Sequence, residues 1–150
     1  MTALSAWLRA AGLGMVTGSR NLLGPALVAR RSARPWVRRA AYLMAAMELI
    51  GDKMPWAPSR AAPVWLATRI VGGAGVARSM LRGRGRLAAG GALAVGAVAA
   101  IVGAFTGLQF RLALTRRLGG GAVANALAGT IEDVTLIAIG RRLAGPAPAR

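Results

Sequence analysis

Twenty-four consecutive residues, Leu87 to Phe110, carry no charge. About 20 apolar residues in a helix cross the roughly 30 Å of bilayer hydrocarbon, so this run predicts a transmembrane helix. It also fixes the solvent in which the rest of the chain must fold. Inside lipid every backbone polar group needs an internal partner, which limits a spanning chain to helices or a closed barrel. A long uncharged run selects helices. The remaining sequence agrees: with 55% apolar residues and a mean hydropathy of +0.51, the 150 residues are too poor in polar surface for an ordinary soluble domain. The expected fold is all-α, a single integral membrane domain over residues 1–150.

Charge is distributed to match. Nineteen arginines and one lysine stand against four acids, for a net charge of +16. Such a balance in a soluble chain would suggest nucleic acid, but nucleic-acid readers interleave their basic patches with aromatics on a polar face. Here the arginines gather between apolar runs, as in cytoplasmic loops that meet anionic lipid headgroups. The bilayer and its headgroups are therefore the expected partners, and nucleic acid is not. With no cysteine and no histidine, disulfides, thiol chemistry, most transition-metal sites and the usual general base are excluded. Neither an enzyme nor a cofactor is expected.

The charges mark out five apolar segments. The first, Ala10 to Ala29, contains Arg20 and Gly24-Pro25, and the proline predicts a kink or break there. Met1 to Leu8 lacks the positive start of a signal peptide, so this run reads as a retained span. The second, Ala40 to Gly51, is short and spans only if Arg38 and Arg39 snorkel and Trp36 and Trp56 anchor at the interfaces; otherwise it is a re-entrant half-helix. Pro55, Pro58 and Pro63 predict a loop over Met54 to Pro63. The third segment, Val64 to Ala77, has Arg69 near its middle, and a basic loop, Arg78 to Arg86, follows. The fourth is the uncharged run itself, and the fifth, Leu118 to Gly140, is also long enough to span. Leu143 to Arg150 reads as a tail. Four to five transmembrane or half-spanning helices result. If all five segments cross, Lys and Arg counts of six and twelve on the two sides place the N-terminus outside and the C-terminus in the cytoplasm.

All four acids lie in two clusters within or at the end of apolar runs: Glu48 with Asp52, and Glu132 with Asp133. Ionisable residues at such positions face a protein interior or a water-filled cavity, and usually have a function there. On a helix Glu48 and Asp52 share a face, with Lys53 and Arg60 within pairing reach. Glu132 and Asp133 are neighbours about 100° apart on a helix, so one is expected to face a cavity and the other a helix or an arginine. Arg20, at mid-depth, costs about 2.5 to 3.5 kcal/mol on insertion scales and needs partners, either an acid or substrate or the free carbonyls of the Gly24-Pro25 break.

A repeat links these residues. Gly14-Met-Val-Thr17-Gly18-Ser-Arg20 and Gly103-Ala-Phe-Thr106-Gly107-Leu-Gln109 share a Gly-x-x-Thr-Gly core with a polar residue two positions later. Each precedes an acidic helix. Small residues at this spacing suit close helix packing, which assigns Gly14, Gly18, Gly103 and Gly107 to helix contacts and predicts a homodimer. One repeat spans about 10–56 and the other about 87–140, joined by a linking segment at about 61–80. A single crossing between them would make the second repeat inverted, an arrangement of broken helices and midplane polar sites found in transporters. Arg20, Glu48 and Asp52 would then converge with Gln109, Glu132 and Asp133.

The Gly-x-x-x-Gly-x-Arg start at Gly14, the Glu-Leu-Ile-Gly-Asp-Lys-Met-Pro-Trp-x-Pro-Ser-Arg run from Glu48 to Arg60, the Arg69-x-x-Gly-Gly-Ala-Gly stretch and Glu132-Asp133 together resemble a known family. It is the family of small bacterial membrane proteins called domain of unknown function 4126. The resemblance runs roughly from Gly12 to Gly140 and is strongest at the Asp-Lys-x-Pro motif. It implies a multi-pass protein of the bacterial cytoplasmic (inner) membrane and brings no established activity. Two functions fit the residues. One is a transporter or channel in which the acids bind a proton, cation or small solute beside Arg20; the other is a structural or assembly protein whose buried charges fix helix packing.

Overall fold

The computed structural model describes residues 2–53 and 63–146. Among them are six helices and no strand: α1 (Ala3–Ser19), α2 (Leu23–Ala29), α3 (Pro35–Gly51), α4 (Pro63–Met80), α5 (Arg86–Arg117) and α6 (Gly121–Ala144). Two of these, α5 and α6, are long and apolar enough to cross a membrane. The anchoring expected of Trp56 and the pairing expected of Arg60 lie outside the described residues.

The predicted segments sit inside these helices with shifted ends. Thr2 starts α1, its hydroxyl accepting from the Ser5 amide at 3.3 Å, one of the N–H groups a helix start leaves unpaired. Pro35 and Pro63 open α3 and α4, so Pro63 belongs to a helix and not to the expected loop; a first-turn proline gives up no intrahelical bond. The helix begins one residue before the uncharged run, at Arg86, and continues seven residues past Phe110 to make the 32 residues of α5. Three glycines with positive φ, Gly119 to Gly121, make the tight return to α6, a backbone shape that side chains disfavour.

The break in the first segment falls at Arg20–Leu22 and not at Gly24-Pro25. Pro25 stands in the first turn of α2, where its missing N–H costs nothing. After the break the chain reverses. A Cβ placed on Gly24 would collide with the Thr17 hydroxyl and lie 3.2 Å from the Leu13 carbonyl. Leu27 then packs on Gly140, and the Arg31 guanidinium donates to the Ala144 carbonyl. The pair α1–α2 is therefore a helical hairpin with Arg20 at its tip.

Small residues set the remaining packing. A Cβ on Gly18 would collide with the Ala100 carbonyl and one on Gly103 with the Met15 carbonyl, while one on Gly14 would come within 3.0 Å of the Ala99 side chain. One on Gly73 would lie 2.6 Å from Ala100 Cβ. Backbones of α1, α4 and α5 thus meet at contact distance around Gly96 and Ala100. Trp7 lies at Gly91, Gly14 at Gly96, Gly18 at Ala100 and Ser19 at Gly107, so α1 and α5 run parallel. Opposed to them is α6, with Gly12 at Leu143 and Gly107 at Glu132.

This geometry corrects two expectations. Parallel α1 and α5, with a break in the first pair of helices and none in the second, mean that the two glycine-threonine repeats are not inverted. The hairpin supplies an extra reversal that a count of five crossings leaves out. Both described ends also lie on one face, since Arg9 and Arg31 both approach Gly145. That face holds Arg9, five arginines from Arg30 to Arg39, four from Arg78 to Arg86, and Arg141 and Arg142; among the described residues the opposite end has Arg116 and Arg117. The start of α1 therefore lies on the same side as the end of α6 and not across from it.

Burial runs opposite to that of a soluble bundle. Along α5 the buried residues are alanines and glycines plus Arg111, whereas Leu87, Val98, Val102, Phe105 and Phe110 are exposed. Only Ala45 of α3 is buried, with Trp36, Leu43, Met47 and Ile50 facing outward. Small residues inside and large apolar ones outside suit helices solvated by lipid. Because the glycine faces of α1 and α5 pack on each other within one chain, they do not supply the homodimer contact expected of them.

Candidate functional site

Breaking a helix exposes carbonyls at the end of one piece and amides at the start of the next. In the hairpin both sets are met by charge from other helices. Arg69, buried in α4, donates from Nη1 to the Gly18 and Ser19 carbonyls at 2.5 and 2.9 Å. Glu48, one turn from the end of α3, accepts from the Asn21 and Leu22 amides at 2.6 and 2.7 Å. A cation at a helix C-terminus and an anion at an N-terminus each oppose the local backbone dipole favourably.

Freed from the carbonyls, Arg20 binds acids instead. Its side chain is fully buried. Nε donates to Asp133 Oδ1 at 2.6 Å and Nη2 approaches Glu132 Oε2 at 3.3 Å, while Nη1 binds Asp52. Asp133 also takes Lys53 Nζ on its other oxygen at 2.6 Å. Asp52 bridges Arg20 to Arg111, and Arg111 continues to the Asp52 carbonyl at 3.2 Å and to Asn125 Oδ1 at 3.0 Å. Asp52 reaches this position because it follows the last residue of α3, which ends beside the hairpin tip.

All four acids of the chain are therefore gathered with four cations, Arg20, Lys53, Arg69 and Arg111, at a formal charge of zero. Their partners come from α1, α3, α4, α5 and α6. Moving charges out of water is repaid only when geometry and hydrogen bonds are good, and here each acid accepts at least one bond from a cation or a backbone amide. Glu132 and Asp133 lie at the middle of the 24-residue α6, and both are buried. Both carboxylates reach Arg20, whose guanidinium is broad enough to receive them, and Glu132 also lines a cavity.

Gln109 is the expected site residue that lies elsewhere. It is exposed, two positions from both Gly107 and Arg111, which face inward; a two-residue step is about 200° around a helix. Arg111 and Arg69 take the roles that the sequence pattern left unassigned. A charge inside the third apolar segment was the available signal for Arg69. Arg111 looked like a boundary marker because it directly follows the uncharged run.

Beside the cluster, α1, α5 and α6 enclose a cavity of about 290 Å³. Its walls include Met15, Val16, Phe110 and Leu136, and Glu132 lines it together with Ser19, Thr106 and Thr135. A mostly apolar space thus borders one carboxylate of the charge network. Compared with protein-family models, with curated proteins and with solved structures, the chain matches none of them.

Proposed function

We propose that this chain is a multi-pass protein of the bacterial cytoplasmic membrane that moves a small ion or solute through the charge cluster at its hairpin tip. The inside-out packing of α5 and the arginine-rich face support the membrane part. In this reading α4, α5 and α6 cross, α3 runs from the arginine-rich face to the depth of the hairpin tip, the α1–α2 hairpin enters and leaves from that same face, and the face is cytoplasmic by the positive-inside rule.

The observation that carries the transport part is the broken helix with its two ends capped by Glu48 and Arg69. Half-helix ends at mid-membrane depth are where many transporters place their substrate and coupling ions. A neutral network of this kind can exchange partners: an incoming cation or proton replaces a guanidinium on Glu132 or Asp133, or an anion replaces a carboxylate on Arg20. Glu132, the longest of the Arg20 contacts and a wall of the cavity, is the first to exchange.

The matching of four acids by four cations favours a second reading, a non-transporting assembly protein held together by these pairs. Flux into liposomes, followed with pH-sensitive and ion-sensitive dyes, separates the two. Transport is expected to disappear in Glu132→Gln and Arg20→Gln with Glu132→Gln still folded. No flux for any ion from the folded wild-type protein would leave the assembly reading.

A further inference from the structure

The geometry points to a second ligand site, a seat for one anionic phospholipid between α2, α3 and α4. It rests on the membrane reading above and not on transport. A cavity of about 630 Å³ opens there, and its lining changes character along its length. Away from the arginine-rich face it is bounded by Pro25, Val28, Val71 and Gly75; at that face it ends in Ser32, Ser79, Arg31 and Arg82. On α4 the lining residues Val71, Gly75 and Ser79 follow at helical spacing and Arg82 stands in the turn just after it, so this side of the groove grades from apolar to cationic. A phospholipid has the same order, with acyl chains deep and phosphate at the surface.

Charge selects an anionic lipid. The face holds twelve of the described arginines and none of the four acids, which are all committed to the cluster at the hairpin tip. Arg82 is exposed and forms no ion pair among the described residues. Arg31 uses one guanidinium nitrogen on the Ala144 carbonyl and, with five N–H donors in all, keeps others for a phosphate. Basic pockets between helices on the cytoplasmic side are known to take acidic headgroups. The acyl part has room because Gly75 leaves the groove open, with nothing within 4 Å of where its Cβ would be.

Native mass spectrometry of the full chain in detergent, titrated with dioleoyl phosphatidylglycerol, dioleoyl phosphatidylcholine or inorganic phosphate, tests this. One phosphatidylglycerol per chain is expected to bind in preference to phosphatidylcholine of the same chains, and phosphate is expected not to displace it. Arg82→Gln should weaken that binding about five-fold, the effect of one arginine at a lipid surface. Gly75→Leu, which fills the groove, should weaken it at an unchanged Tm, and Arg116→Gln at the opposite end should leave it intact. Equal binding of the two lipids, displacement by phosphate, or equal losses from Arg82→Gln and Arg116→Gln would each overturn the proposal.

Discussion

Glu48 and Arg69 hold the two ends of one broken helix with opposite charges, from two different helices. The carboxylate takes the amides of Asn21 and Leu22, just before α2, and the guanidinium takes the carbonyls that end α1. Neither residue is near the break in sequence, yet together they satisfy backbone groups that lipid could not.

That division of labour makes the two caps unequal to mutation. Glu48→Gln keeps an oxygen acceptor and loses charge, and losing a helix cap costs about 0.5 to 2 kcal/mol. Arg69→Met removes the guanidinium that meets these carbonyls and leaves them buried, a cost of about 1 to 3 kcal/mol for each unsatisfied group. Thermal unfolding in detergent should therefore rank wild type, Glu48→Gln and Arg69→Met in falling order of Tm. Equal Tm values would mean that the hairpin needs neither cap.

A second pair of variants separates folding from chemistry within the cluster. Asp133 binds Arg20 Nε and Lys53 Nζ, each at 2.6 Å, whereas Glu132 meets Arg20 at 3.3 Å. Removing one partner of a buried pair costs about 3 to 5 kcal/mol, and Asp133→Asn removes the charge that Arg20 and Lys53 share. Folded yield by size-exclusion chromatography should fall sharply for Asp133→Asn and little for Glu132→Gln. The reverse order would make Glu132 the structural acid.

These residues also show what sequence could reveal. The acids were legible because there are only four and all interrupt or end apolar runs, where charge is expensive. Arg111 was not, because it directly follows the uncharged run and looks like a boundary residue, and Arg69, although inside an apolar segment, has no acid near it in sequence to suggest its role. The break was misplaced onto Gly24-Pro25 because a proline is the usual local cause, while the actual cause, capping by Glu48 and Arg69, is tertiary. The reversal at the tip then changed the direction of every later helix, so the repeats lost their inversion and the termini came together. What the uncharged run alone dictated, a long helix with small residues along it, is found in α5.

Close approach at the glycines gives a third test. A methyl on Gly18 meets the Ala100 carbonyl, a backbone atom that cannot swing aside, whereas a methyl on Gly90 meets nothing within 4 Å. Overpacking of this kind costs about 1 to 3 kcal/mol or more. Gly18→Ala should lower Tm in detergent by several degrees, and Gly90→Ala should leave it unchanged or raise it through better helix propensity. Equal behaviour of the two would show that α1 and α5 are not in backbone contact.

Orientation can be read directly, because the chain has no cysteine and any introduced thiol is a unique label. Ser32 lies on the arginine-rich face between α2 and α3, and Arg116 lies in the last turn of α5 at the other end. If the arginine-rich face is cytoplasmic, a membrane-impermeant maleimide added to intact cells should label Arg116→Cys and reach Ser32→Cys only after permeabilisation. Thr2→Cys should behave as Ser32→Cys does, because α1 begins on that same face. A Thr2→Cys labelled from outside while Ser32→Cys is protected would mean that α1 and α2 together make one crossing of the bilayer. The re-entrant hairpin, and with it the placement of Arg20 among the four acids, would then be wrong.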